Sequence, residues 1–96
     1  MVCYKVEISI DHDIENEYQS WLKEHINDMM SHKGFSKSNL LKIKQDHKIK
    51  YIVMYDIDKK ESYDDYIKNH ASKMRSTVPE SFINKCTINR DLFEVL

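Results

Sequence analysis

Apolar residues recur along the chain with two periods, one typical of strands and one typical of helices. In residues 2–10 every second residue is apolar: Val2, Tyr4, Val6, Ile8 and Ile10. In residues 14–32 the spacing becomes i, i+3, i+4, i+7, and one helical face collects Tyr18, Trp21, Leu22, His25, Ile26 and Met29. These patterns predict a half-buried strand followed by an amphipathic helix. This helix carries the one tryptophan a single turn before a histidine, so we expect it to organise the rest of the chain.

The same two patterns return further along the chain. Alternation predicts strands at residues 40–45, 49–57 and 87–95, and helical spacing predicts a second helix at residues 58–77. The apolar stripe of that helix consists of Tyr63, Tyr66, Ile67, His70, Ala71 and Met74. Gly34 and Pro79 are expected to end the two helices. The resulting order, β-α-β-β-α-β, is ferredoxin-like: an α+β fold whose four-stranded antiparallel sheet carries both helices on one face.

The predicted third strand is apolar on both faces. One phase carries valine, isoleucine and tyrosine, and the other carries Ile52 and Met54. A strand of this kind has to be covered on each side, and the helices cover only one face of the sheet. We therefore expect a homodimer formed through the open sheet face.

The two halves of the chain align when one is shifted by 45 residues, which places His25 on His70 and Trp21 on Tyr66. The repeat has two possible origins, duplication of a β-α-β unit or the spacing that such a fold imposes by itself. In either case both histidines are predicted to face the sheet. They would lie near Trp21 and Tyr66 from the helices and near three tyrosines from the strands: Tyr4, Tyr51 and Tyr55. This is where titratable and aromatic groups would meet an apolar wall.

Size and charge narrow the function classes. Ninety-six residues predict a single domain over 1–96. The 15 basic and 16 acidic residues balance, which argues against a dedicated binder of polyanions. RNA binding by stacking on sheet aromatics is not expected, because the strand tyrosines share the phase of the buried aliphatic residues. No apolar run approaches transmembrane length and no secretory leader pattern is visible, so a cytoplasmic protein is expected.

The two cysteines are expected to be free thiols. Cys3 opens the first strand and Cys86 opens the last, so antiparallel pairing would place them at opposite ends of the ladder. Reduced thiols are consistent with the cytoplasm.

Carboxylates occur in pairs at both strand-to-helix junctions, as Asp11-x-Asp13 and Asp56-x-Asp58. Such pairs can act as catalytic acids and bases. Their position directly before a helix favours helix capping instead.

A set of residues spread over nearly the whole chain resembles a known superfamily. The set comprises Trp21-Leu22-x-x-His25-Ile26, Gly34-Phe35, Tyr66-x-x-x-His70-Ala71-x-x-Met74-Arg75, Phe82, Arg90 and Phe93-Glu94-Val95. It resembles the dimeric α/β-barrel superfamily, in which two ferredoxin-like subunits join sheet to sheet, and more narrowly an uncharacterised family within it. Asn27 departs from that pattern, since similar proteins often carry proline there. The superfamily includes cofactor-independent monooxygenases, haem-degrading enzymes, lactone isomerases and ligand-sensing domains, so the resemblance implies a fold and no particular reaction.

His25 and His70 are the candidate catalytic residues, as a general acid/base pair. Two other interpretations stay open: structural imidazoles satisfied by hydroxyl or carbonyl partners, and ligands of haem or a divalent metal. A catalytic zinc site needs three protein ligands, and no motif supplies the third, so neither a metal nor another cofactor is predicted.

The candidate substrate-binding residues are Trp21, Tyr51, Tyr55, Tyr66 and Arg90. Arg90 could hold a carboxylate bidentately, or it could pair with Glu7 across the sheet. We hypothesise a pocket between helices and sheet that binds a small, partly apolar or aromatic molecule, with or without cofactor-independent acid/base chemistry. The alternative is a non-catalytic dimerisation or ligand-sensing module with structural histidines, so the sequence leaves open whether the protein is an enzyme.

Overall fold

A computed structural model describes residues 1–96 and contains four strands and three helices. The strands are β1 (Val2–Ile10), β2 (Phe35–Lys44), β3 (Ile49–Ile57) and β4 (Cys86–Glu94). The helices are α1 (Glu15–Met29), α2 (Lys60–Asn69) and α3 (Ala71–Arg75), with single 3-10 segments at His12–Ile14 and Glu80–Lys85. The predicted β-α-β-β-α-β order is confirmed. None of the helices is both long enough and apolar enough to cross a membrane.

The sheet has the order β2-β3-β1-β4, and every pair of neighbouring strands is antiparallel. The first and third strands therefore lie at the centre, as predicted. The register places Val6 opposite Val53 on one side and Arg90 on the other. Because side chains alternate along a strand, these three residues share the face that the helices cover.

The core lies between the helices and that face of the sheet. Its most buried large side chains include Tyr4, Tyr18, Leu22, Tyr51 and Tyr55, each at most 2% exposed. The strand tyrosines are thus under the helices, as the shared phase with aliphatic residues predicts. The opposite face of the sheet has no such cover, and Leu41 and Ile43 on it are each more than half exposed.

Gly34 lies in the turn between α1 and β2 with a φ of +87°. A Cβ atom added there would lie 2.6 Å from the Ser62 side chain at the start of α2, and it would also collide with the Asp58 carboxylate. Glycine is required for both reasons, since L-residues with side chains avoid positive φ. The helix itself ends earlier than predicted, at Met29, so Gly34 serves the turn into β2 rather than the last helical turn.

Strand β2 begins five residues earlier than predicted. Its first part, Phe35 to Asn39, is mostly polar, and the register shifts between Phe35 and Lys37, where the strand bulges. An edge strand with a bulge needs no alternating apolar pattern, because few of its side chains enter the core.

The predicted second helix is broken at His70, which has φ −129° and ψ −28°. The break divides it into α2 and α3, so the helical spacing drawn through residues 58–77 does not hold. Tyr66 and Ala71 are buried, while Ile67 and His70 are exposed. The prediction that His70 faces the sheet is therefore wrong.

The paired carboxylates before α1 do not cap it. Asp11 and Asp13 make no cap hydrogen bond, and they accept instead from Lys48 and Lys85 respectively. The lysine pairs tie the start of α1 to the loop before β3 and to the segment before β4. The two cysteines lie as expected: Cys3 is opposite Phe93 and Cys86 is opposite Ile10, at the two ends of the β1–β4 ladder, and both are free.

Candidate functional site

A cavity of about 430 Å³ lies between α1, the segment around α3, and the β1–β4 half of the sheet. Most of the residues that line it are hydrophobic. A volume of this size is typical of sites for small molecules.

The order of side chains along β1 and β3 explains why the space exists. On the helix-facing side the cross-strand pairs are Tyr4 with Tyr55, Val6 with Val53, and Ile8 with Tyr51. The two small valines lie between large tyrosines, so the sheet surface is recessed at its middle. Both valines line the cavity.

His25 stands in the wall of this cavity, on α1. The indole of Trp21, one turn earlier, stacks on its ring, and the structure shows no hydrogen bond from a protein group to either ring nitrogen. Burial lowers the pKa of His25 below its ordinary value, and the charges of Arg90 and His32 lower it further against the opposite effect of Asp28. The imidazole is therefore neutral near pH 7 and can accept a proton.

Tyrosine hydroxyls surround the inner part of the cavity. Burial raises the pKa of Tyr66 to about 12, and it raises the pKa of Tyr18 and Tyr55 as well. Tyr66 donates a hydrogen bond to the Met29 sulfur at 3.2 Å. The structure shows no hydrogen bond from the hydroxyls of Tyr18 and Tyr55 to another protein group, and both residues line the cavity. They stay protonated and can donate to a ligand.

Two arginines line the mouth of the cavity. Arg90 projects from β4, and Arg75 at the end of α3 donates a hydrogen bond to the Tyr4 hydroxyl at 3.4 Å. The alternative that Arg90 pairs with Glu7 is wrong, because Glu7 points to the opposite face of the sheet. Glu7 lies there 3.6 Å from the ammonium of Lys50.

Five of the seven predicted site residues come together at this cavity: Trp21, His25, Tyr55, Tyr66 and Arg90. Tyr51 is fully buried outside it, stacked beneath Tyr18, with its hydroxyl donating to Gln19 at 3.1 Å. The His70 side chain lies outside the cavity at the α2–α3 break, about half exposed, 3.7 Å from Asp65 and with its ring 4.9 Å from that of His32. The fold thus separates the predicted histidine pair.

Sequence reasoning did not assign Tyr18, Arg75 or Cys86 to the site. Tyr18 was visible as a member of the α1 stripe, and Cys86 shares the phase of Ile88 and Arg90 on β4. Arg75 was visible only as part of the set of residues that carries the resemblance, and its place at the cavity depends on the break at His70.

The structure contains no group of three or more histidine, cysteine, aspartate or glutamate side chains arranged to hold a metal ion. His25 is the one imidazole at the cavity, so a group bound there could take one imidazole ligand from this chain.

Several solved structures have the same architecture as this chain. The heme-degrader MhuD from Mycobacterium tuberculosis, described with two hemes bound in its active site, has a TM-score of 0.76 and 15% identity, covering 100% of this chain and 96% of its own. SnoaB, a cofactor-independent oxygenase from Streptomyces nogalater, has a TM-score of 0.73 and 15% identity over 99% and 93% of the two chains. An antibiotic biosynthesis monooxygenase has a TM-score of 0.75 and 8% identity over 100% and 99%.

The fold is thus ferredoxin-like, as the resemblance implied, and it is shared with these solved structures. The chain belongs to the family described as a domain of unknown function (DUF4286), whose model matches residues 1–96. No curated protein matches it by sequence. Identities this low show a common fold and leave the chemistry to be argued from the site.

Proposed function

We propose that this protein binds a small, partly aromatic molecule in the cavity between α1 and the sheet, and that His25 takes a proton from it. The observation that carries the proposal is the neutral imidazole of His25, with no protein partner on either ring nitrogen, in the wall of an apolar cavity of about 430 Å³. A base of this kind at an enclosed apolar surface is typical of proton-transfer sites.

The binding part of the proposal rests on the aromatic lining. Trp21, Tyr55 and Tyr66 offer ring faces and edges to a planar ligand. The unpaired hydroxyls of Tyr18 and Tyr55 would donate hydrogen bonds to a carbonyl or hydroxyl oxygen of that ligand. Arg90 would stabilise negative charge that develops when the proton leaves.

The chemical part needs no cofactor. An acidic C–H or O–H group held against His25 would transfer its proton to the ring, and the resulting anion would be stabilised by Arg90 and the two tyrosine donors. SnoaB, described as a cofactor-independent oxygenase, shares the fold, which supports this class of chemistry by analogy.

The second candidate function is a non-catalytic dimerisation or ligand-sensing module. The uncovered sheet face favours an assembly role, since Leu41 and Ile43 are each more than half exposed beside the half-buried Ile52 and Met54. We propose a homodimer through this face, whichever function holds. We also propose that residues 1–96 form one domain and that the protein is cytoplasmic, which its two free thiols support.

An NMR titration of the imidazole protons tests the proposal. We expect His25 to titrate below about 6.5 and to move when one compound from a set of aromatic phenols, ketones and acids is added. His70, an exposed imidazole on the same molecule, is the internal control and should not respond. A His25 pKa near 6.5 that no compound moves would favour the non-catalytic module.

A further inference from the structure

The two charged side chains that line the cavity are both arginines, and the third ionisable nitrogen base there, His25, is neutral near pH 7. Arg75 and Arg90 line its mouth, His25 stands in its wall, and no aspartate or glutamate is among the lining residues. Neither guanidinium has a carboxylate oxygen within 4.0 Å.

This absence of counter-charge is local. The chain has slightly more acidic than basic residues, and elsewhere five of its acidic side chains pair with lysines. The pairs are Lys42 and Lys44 with Glu15, Lys48 with Asp11, Lys50 with Glu7, Lys60 with Asp64, and Lys85 with Asp13. The two arginines at the mouth are left without such a partner beside an apolar space.

We infer that the ligand of this cavity carries a carboxylate, and that Arg75 and Arg90 hold it at the mouth while the aromatic body lies inside. This inference rests on the proposed function and names the chemical class of its ligand. A planar carboxylate matches the planar, forked donors of guanidinium groups and can accept two hydrogen bonds from each.

The two arginines are positioned from different elements. Arg90 is held by its place in the β1–β4 ladder, opposite Val6. Arg75 is held by the α2–α3 break and by its hydrogen bond to the Tyr4 hydroxyl. Neither side chain needs a large rearrangement to meet an anion, because each already lines the opening.

The field of Arg90 extends into the cavity. Burial raises the pKa of Tyr18 and Tyr66, and the positive charge of Arg90 opposes that rise; for His25 the same charge adds to the lowering of the pKa by burial. An anionic group brought to the mouth therefore meets a positive potential, and a neutral ligand of the same shape gains nothing from it.

Two matched compounds test the inference: 2-naphthoate, which carries a carboxylate, and 2-naphthamide, its neutral counterpart of similar shape. Binding to the whole protein would be measured by calorimetry at low salt, with amide and imidazole NMR shifts to locate the site. We expect 2-naphthoate to bind roughly tenfold more tightly than 2-naphthamide. We expect Arg75→Gln and Arg90→Gln each to weaken 2-naphthoate roughly tenfold and to leave 2-naphthamide unchanged.

Lys68→Gln is the matched control, since it removes one positive charge from an exposed position on α2 away from the cavity and should change neither affinity. Arg75→Lys and Arg90→Lys keep the positive charge but lose the forked donors of the guanidinium group. They should bind 2-naphthoate with an affinity between those of the parent and the glutamine variants, and they keep the test decisive where a glutamine variant folds poorly. Equal affinity for the two compounds, or arginine variants that behave like Lys68→Gln, would overturn the inference and leave the proposed pocket standing. Failure of both compounds to shift the signals of Trp21 and His25 would overturn the pocket and the inference together.

Discussion

The indole of Trp21 is stacked on the imidazole of His25, with ring centroids 4.8 Å apart and planes inclined by 20°. The two residues are four positions apart on α1, the spacing at which helical side chains meet. The stack covers one face of the imidazole and leaves its nitrogens at the ring edge for a ligand. It also brings the one tryptophan of the chain next to the proposed base.

This relationship predicts how stability depends on pH. Burial lowers the pKa of His25 in the folded protein below the ordinary value of the unfolded chain. The unfolded chain therefore binds more protons as pH falls below about 6.5, and the free energy of unfolding should decrease from there down to the folded pKa. Urea unfolding at several pH values would measure the slope. His25→Asn should remove the decrease in unfolding free energy that His25 causes below about pH 6.5, and His70→Asn should leave that decrease in place. A decrease that persists unchanged in His25→Asn would show that His25 is not its source.

A second prediction concerns the charge of Arg90. Because that charge disfavours the imidazolium form, Arg90→Gln should raise the pKa of His25, and proton NMR of the imidazole would report the shift. Lys68→Gln also removes one positive charge, but away from the cavity, and should leave the His25 pKa unchanged. A His25 pKa that falls in Arg90→Gln would place the guanidinium elsewhere than the cavity mouth.

Gly34→Ala should destabilise the fold by about 2–4 kcal/mol, because a positive φ costs any side chain energy and the new Cβ would collide with Asp58 and Ser62. Urea denaturation monitored by circular dichroism would measure the loss. Asn27→Ala, at an exposed position on α1, is the control and should stay within about 0.5 kcal/mol of the parent. A Gly34→Ala protein as stable as its parent would mean that the turn adopts a different conformation.

The proposed homodimer predicts a mass twice the 11.5 kDa of the chain. Ile52→Glu introduces a charge in the middle of the uncovered sheet face and should give a monomer in sedimentation analysis. Ile67→Glu changes an equally apolar residue that is exposed on the helix side, and it should leave the mass unaltered. A parent protein that sediments as a monomer would rule out this interface.

The sequence predicted the parts of the fold that follow from regular spacing. Strand β3 has the predicted bounds, and α1 has its predicted buried face, because a core on one side imposes a period on each element. The polar start of β2 was not predicted as strand, because an edge strand needs no alternation of apolar and polar residues. Site residues such as Trp21 and His25 could be predicted because they lie on a helix whose apolar residues recur with a regular period. His70 was misplaced and Arg75 was not assigned to the site for one reason: a break in the backbone dihedrals at a single residue leaves no trace in hydrophobic spacing.

That break also bears on how many ligands each chain would take if the proposed pocket binds one. The 45-residue repeat would place two equivalent histidines against the sheet if both helices were continuous, yet the turn of the backbone at His70 leaves its imidazole outside the cavity and about half exposed. The two halves therefore contribute differently to the cavity: the first supplies His25, the proposed base, and the second supplies Arg75. A binding isotherm should accordingly saturate at one equivalent per polypeptide, and at two per dimer.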